Sequence, residues 1–323
     1  MARFFWKKDT DSGLLTAIGQ TLEAGILAGF WRLMGSVSLI RAHTWGYRLG
    51  YWLGPRTAKQ RWVVANLRTA FPDRPADEIA LLARRVWGNF GAVLAEFPHL
   101  STLVDASGPD PAVEIVCEHP DPDFLLKRPP SVFVAAHMGN WELSAYAIRR
   151  LGFPVDVVYG PQTNPRIEAM LQAVRTPLGC GFIPKRHLLR VMLRNLRQGR
   201  SVGMHVDVRA DGEPDAPFFR VPAPTTRTPA WVARQAGCEI VPVRCERLAP
   251  GRYRVTLHPP LAQADAQDPH ALDTTTRELN RRIAGLITQD PGQWWCAKRR
   301  WPKSTMGAVS VESTFLGDRQ HSG

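Results

Sequence analysis

Residues 131–146 read SVFVAAHMGNWELSAY. The run from Val132 to Ala136 is short and apolar, the pattern of a strand buried on both faces. It breaks at His137. Gly139 and Asn140 then signal a turn, and from Trp141 to Arg150 the pattern becomes helical. A strand that runs straight into a polar turn and a helix places His137 at the strand's carboxyl end, where α/β proteins bind their ligands.

Downstream the alternation continues. Val155 to Tyr159 reads as a strand, and Asn164, a capping residue type followed by Pro165, opens a helix. Leu188 to Leu196 reads as a helix, Val202 to Val208 as a strand and Thr228 to Ala236 as a helix, followed by strands at Ile240 to Arg244 and Tyr253 to His258. The expected fold is therefore α/β, with a mixed, partly parallel sheet flanked by helices. A last helix, about Leu272 to Thr288, precedes a cluster of Trp294, Trp295, Lys298, Arg299, Arg300, Trp301 and Lys303.

Upstream of the quoted stretch lies a Pro- and Asp-rich connector around Pro109 to Pro122. Before it, Ile79, Leu82, Val86, Phe90, Val93 and Phe97 recur every three or four residues from Asp77 to Phe97, giving a helix with one buried face. Its neighbour, Arg61 to Phe71, ends at Pro72, which cannot continue a helix.

The first fifty-odd residues are the most apolar, but Glu23, Arg32 and Arg41 interrupt every candidate span, so no uncharged run of about 18 residues exists. Phe4, Phe5, Trp6, Lys7 and Lys8, followed by this Trp- and Arg-bearing segment, read as helices lying in the bilayer interface. The alternatives are a tilted single span and a helical hairpin packed on a soluble core. The expected organisation is a membrane-associated helical segment over 1–57, a catalytic domain over 58–303 and a disordered Ser- and Gly-rich tail over 304–323.

With 323 residues, 44% of them hydrophobic, the chain is able to bury a full core. Five cysteines without a C-x-x-C pair argue against a disulfide framework and a zinc ribbon. A net charge of +12 draws phosphates, anionic lipid headgroups, nucleic acid or an acidic carrier protein. Nucleic acid is disfavoured, because the basic residues interleave with tryptophans and no zinc-finger, RNP or basic-zipper pattern occurs. A hydrolase would carry a G-x-S-x-G elbow, and none is present.

His137 and Glu142 are the residues best suited to chemistry. Five apart on one helix, their side chains would diverge by roughly 140°. With His137 on the turn and Glu142 in the first helical turn, the carboxylate is expected to fold back onto the imidazole. A neutral imidazole so held takes a proton from an alcohol as the alcohol attacks a carbonyl. Arg175 is suited to pair with Glu142 or Asp207, or to meet an oxyanion or a phosphate. Asp207 is expected to share a strand face with His205; two such residues without a third make no metal site.

The block AAHMGNWELSA resembles the catalytic block of the bacterial lipid A late acyltransferases, the lauroyl and myristoyl transferase family within the wider lysophospholipid acyltransferase superfamily. The likeness covers most of the chain: NLRTAFPD at 66–73, NPRIEAMLQAVR at 164–175, GRSVGMHVD at 199–207, and Pro291, Gln293, Arg299, Arg300 and Trp301 follow the family's blocks in order.

The resemblance implies His137 as general base, Glu142 as its partner, and Arg175 and Asp207 lining the same site. It also implies transfer of a fatty-acyl group from an acyl carrier protein thioester to a hydroxyl of a lipid A precursor on the cytoplasmic face of the inner membrane, with no metal or cofactor. Acyl-coenzyme A as donor, another glycolipid or lysophospholipid as acceptor, and an inactive lipid-binding relative are the alternatives. Lys298, Arg299 and Arg300 are candidate contacts for lipid phosphates. Against the family's pattern stand Gly160 between Tyr159 and Pro161, Lys298 where a histidine is usual, and Arg227 in PTTRTP.

Overall fold

The apolar run at Val132 forms the middle of a seven-stranded sheet in the computed structural model, which describes residues 13–105, 111–184, 188–262, 264 and 268–306. The Phe4 to Lys8 stretch and the tail beyond residue 306 lie outside the described residues, as does part of the connector.

Counting helices of eight residues or more, the described chain runs α1 (Gly13–Gly35), α2 (Leu39–Leu53), α3 (Gln60–Ala70), α4 (Ala76–Glu96), β1 (Val113–Cys117), β2 (Val132–Ala135), α5 (Leu143–Arg150), β3 (Val155–Tyr159), α6 (Pro165–Arg175) and β4 (Gly181–Pro184). It continues through α7 (Leu188–Arg197), β5 (Ser201–His205), β6 (Asp215–Phe218), β7 (Val221–Pro224), α8 (Thr228–Ala236), β8 (Ile240–Ala249), β9 (Arg252–Leu257) and α9 (Ala271–Gln289).

The large sheet has the order β1-β9-β8-β2-β5-β3-β4. Strands β8, β2, β5, β3 and β4 are parallel; β9 turns back antiparallel on β8, and β1 lies parallel to β9. A separate antiparallel hairpin joins β6 to β7. The mixed, partly parallel α/β sheet expected from the alternation is present, and most of its pairings are parallel.

Side chains of β2 alternate between two cores, as the period of a strand requires. Val132 and Val134 enter one cluster with α3, α4, α7, α8 and α9; Phe133 and Ala135 enter the other with α5 and α6. The chain leaves β2 for α5 on the second face, but leaves neighbouring β5 for the β6–β7 hairpin and α8 on the first. Two adjacent parallel strands whose continuations diverge to opposite faces leave a crevice between their carboxyl ends, the position where open α/β sheets bind ligands.

Helix α2 lies on α4 through small residues. A Cβ at Gly46 would come within 2.5 Å of the Gly91 carbonyl oxygen, and one at Gly50 within 2.2 Å of the Trp87 carbonyl oxygen. The outer face of α2 leaves Ile40, Trp45, Leu49, Trp52 and Leu53 exposed. Among the described residues, no helix is long and apolar enough to cross a membrane.

Three elements escape the sequence reading. Strand β1 lies inside the Pro- and Asp-rich connector, and as an edge strand it pairs only with β9, so it shows no continuous apolar run. Strand β4 is the opposite edge. The β6–β7 hairpin carries Pro217, Pro222 and Pro224, which a two-stranded ribbon with open edges tolerates. The strand expected at Val202 to Val208 ends at His205, so Asp207 lies beyond it rather than on its face.

Candidate active site

Parallel pairing of β2 with β5 sets Ala135 opposite His205. Two residues further along each chain, His137 and Asp207 meet. His137 Nδ1 donates to Asp207 Oδ1 at 2.8 Å, and the His137 backbone N–H donates to Oδ2 at 3.1 Å. Trp294 Nε1 donates to the same Oδ2 at 2.9 Å. The carboxylate side chain is 1% exposed and the imidazole 25%. Burial by itself would raise the Asp207 carboxyl, but the His137 ring, His205 and the Trp294 N–H together hold it well below the usual carboxylate range. An ionised Asp207 accepts only, so the proton of a neutral His137 sits on Nδ1 and the lone pair on Nε2.

The turn that carries His137 is fixed on several sides. Gly139 has φ +56°, and a Cβ there would lie 2.7 Å from the Cys245 carbonyl oxygen, so both backbone and space demand glycine. The Trp295 N–H donates to the His137 carbonyl at 2.8 Å, and Asn89 Nδ2 to the Gly139 carbonyl at 3.0 Å. The imidazole is bracketed by Trp141, edge to face with centroids 5.4 Å apart, and by His205, stacked at 4.2 Å. Burial, and then the neighbouring His137, push His205 down to about 3, so this second ring stays neutral.

Glu142 departs from expectation. Instead of folding back to His137, its carboxylate receives the Arg175 guanidinium in a fork: Nε to Oε2 at 2.9 Å and Nη2 to Oε1 at 2.6 Å. The reason is local. The left-handed backbone at Gly139 sends His137 across to β5, Trp141 packs against the ring, and Glu142, in the N-cap position of α5, faces α6. Asp207 therefore takes the part at the imidazole that the sequence suggests for Glu142.

Arg175 ends α6, which Asn164 opens by accepting from the Arg166 N–H at 3.0 Å. Its guanidinium lies over the Phe182 ring at 5.4 Å. Burial opposes its charge, but Glu142 outweighs burial and raises it. His205 feels the charges of both Arg175 and His137, so the two carboxylate pairs belong to one neighbourhood.

The C-terminal tryptophan-basic cluster also needs correction. Arg300 is 1% exposed; Nη1 donates to the Pro224 carbonyl and Nη2 to Thr225 Oγ1, each at 2.8 Å, and the guanidinium covers the Phe218 ring. Burial lowers it to about 10. Trp294 and Trp301 are fully buried. A side chain so enclosed does not meet a lipid phosphate, and of the three cations only Lys298 is fully on the surface, with Arg299 half-buried.

Asn66 clamps this segment: Nδ2 donates to the Cys296 and Lys298 carbonyls at 2.6 and 2.7 Å, and Oδ1 accepts from the Arg300 N–H. The segment thereby delivers Trp294 to Asp207. That role of Trp294 is absent from the sequence reading, and nothing in the spacing of Trp294 and Asp207 signals it.

Comparison with known proteins gives the family. The chain matches the bacterial lipid A biosynthesis acyltransferase family over residues 17–303. It is 22% identical over 260 residues to a lipid A biosynthesis acyltransferase of Haemophilus influenzae, spanning 76% of this chain and 77% of that protein. Among solved structures it is similar to the 1-acyl-sn-glycerophosphate acyltransferase PlsC of Thermotoga maritima, at 12% identity and a TM-score of 0.34, over 83% of this chain and 98% of that one. The chain belongs to the bacterial lipid A biosynthesis acyltransferase family, as an O-acyltransferase acting on lipid A or a related lipid.

Proposed function

We propose that this protein moves a fatty-acyl chain from an acyl carrier protein thioester to a hydroxyl of a lipid A precursor at the cytoplasmic face of the inner membrane, with His137 as general base. The observation that carries the reading is the His137–Asp207 contact: a partly exposed imidazole whose Nδ1–H is held by a buried carboxylate at a strand end. Nε2 takes the proton of the acceptor hydroxyl as its oxygen attacks the thioester carbonyl. Asp207 stabilises the imidazolium so formed, which returns the proton to the departing thiolate as the tetrahedral intermediate collapses.

Direct attack by the acceptor, without an acyl-enzyme, fits the state of Cys180 and Cys245. Burial raises Cys180 and Cys245 each to about 12, which leaves them protonated and poorly nucleophilic at neutral pH. Arg175 spends Nε and Nη2 on Glu142, and its remaining Nη1 is suited to meet the oxyanion or a substrate phosphate.

Exposed apolar side chains on α1 and α2, among them Leu22, Ile26, Leu33, Ile40 and Trp52, suit an interfacial seat in the bilayer, and the basic surface suits an acidic carrier. The test is incubation of purified protein with acyl carrier protein charged with fatty acids of several lengths and a tetra- or penta-acylated lipid A precursor. A mass gain of one acyl chain, absent in His137→Ala, is expected. Transfer only to other membrane lipids, or only from acyl-coenzyme A, reassigns acceptor or donor; transfer surviving in His137→Ala rejects the base.

A further inference from the structure

Behind the His137 turn lies a second carboxylate cluster that the reaction above does not use. Glu96, the last residue of α4, is completely buried. Its Oε1 accepts from His43 Nδ1 of α2 at 2.8 Å and from Arg247 of β8; its Oε2 accepts from the Tyr253 hydroxyl of β9 and from Asn140 Nδ2 at 3.0 Å. Burial favours the neutral acid, but Arg247 and the hydrogen bonds from His43 and Tyr253 outweigh it and hold Glu96 down to about 2, so Glu96 is ionised at neutral pH, opposite the Arg247 cation.

Asn140 is in the catalytic turn, three residues after His137, and its carbonyl accepts from the Cys245 thiol at 3.1 Å. Arg247 closes the circuit: Nε donates to Asn89 Oδ1 at 3.0 Å, and Asn89 Nδ2 donates to the Gly139 carbonyl. Four elements with no common local sequence thus converge on one carboxylate, and two of its connections end on the turn.

We propose that Glu96 is a positioning residue for His137, acting through Asn140 to fix the turn that carries the base. It touches neither substrate nor the reacting atoms. A charge as deeply buried as this is costly unless it is fully paired, and the partners it has gathered are those that define the turn. Because His43 attaches α2 to the same carboxylate, the exposed apolar face of α2 and the base are held in one rigid arrangement. The proposal rests on His137 being the base.

The test is a double-mutant cycle on the full-length enzyme, with kcat, KM for donor and acceptor, and thermal melting recorded for wild type, Glu96→Gln, Asn140→Ala and the double variant, beside His137→Ala. Asn140→Ala leaves the Glu96, Arg247 and His43 pairing intact, so it reports on the turn even where Glu96→Gln folds poorly. The expected result is a loss of about 10- to 100-fold in kcat for each single variant, the scale of a small misplacement of a reacting group. Both KM values stay unchanged, and the double variant is no slower than the slower single one.

Wild-type kcat in Asn140→Ala, or losses that multiply in the double variant, overturn the proposal, because a merely structural Glu96 changes melting without coupling to the turn. Transfer retained by His137→Ala overturns the base assignment itself, separately from the cycle.

Discussion

Asp207 and Glu142 are both buried carboxylates beside the same strand end, and they differ in what they hold. Asp207 receives three N–H groups, one from an imidazole that is able to gain or lose charge. Glu142 receives two from one guanidinium, which is charged at every accessible pH. A carboxylate facing a switchable cation stabilises a charge that appears during a reaction; one facing a permanent cation fixes architecture and local field. The difference teaches that proximity in sequence is a poor guide to the partner of a base, and that the titration behaviour of the partner decides the role.

The sharpest way to break that comparison is to remove one charge at a time. Asp207→Asn leaves the shape but lets an amide face Nδ1, freeing the wrong tautomer; kcat is expected to fall about 10³-fold with little change in melting temperature. In a His137→Ala background the same change should cost almost nothing further, since residues acting as a unit are not additive. Steady-state kinetics on the four proteins check both points. Equal and independent losses would dissolve the Asp207–His137 unit.

Glu142→Gln is expected to divide its effect the other way. Leaving Arg175 buried without its partner should destabilise the fold by about 3 kcal/mol, seen by thermal or denaturant unfolding, while kcat falls roughly 10-fold. That loss should persist in the His137→Ala background as far as residual activity permits. If Glu142→Gln instead silences the enzyme without loss of stability, Glu142 shares the chemistry with Asp207 and the contrast between them fails. A smaller effect on stability, about 2 kcal/mol, is expected for Arg300→Leu, which orphans the Pro224 carbonyl and Thr225 and loosens the segment carrying Trp294.

What was legible in the sequence follows from what each residue needs locally. His137 stands out because an apolar run ends on it, Gly139 because a turn follows, and Asn164 because it precedes Pro165 at a helix start. These are short-range signals. The partner of His137 is set by strand adjacency: residue 137 meets residue 207 only because β2 pairs with β5 in the register that puts Ala135 opposite His205. Nothing within either segment records that register. Glu142, five residues away, is the nearest carboxylate along the chain, but φ at Gly139 turns the backbone so that nearness is not contact.

The C-terminal cluster misleads for a related reason. Tryptophans among cations describe an interfacial surface and a buried, hydrogen-bonded clasp equally well, and composition does not separate them. Burial of Arg300 and Trp294 does. Glu96 gives no signal at all, because a glutamate at a helix end reads as solvated until four distant elements are seen to close over it.

The finest test of the comparison is the pH profile, because it asks how many of these groups change charge in the working range. Asp207 is held well below the usual carboxylate range, so it is already ionised when pH rises past that range and contributes no step at neutral pH. His205 sits at about 3 and is neutral above that value. Neither group changes charge at neutral pH, so a reaction with a single general base should rise with pH along a limb of unit slope. His205→Phe keeps a ring stacked on His137, so the slope should be unchanged and kcat should stay within about two-fold of wild type, the loss expected when stacking survives. A limb of slope two in the wild type, reduced to one in His205→Phe, would mean that the two rings titrate together; the charge formed during transfer would then be divided between two histidines instead of resting on the one that Asp207 holds.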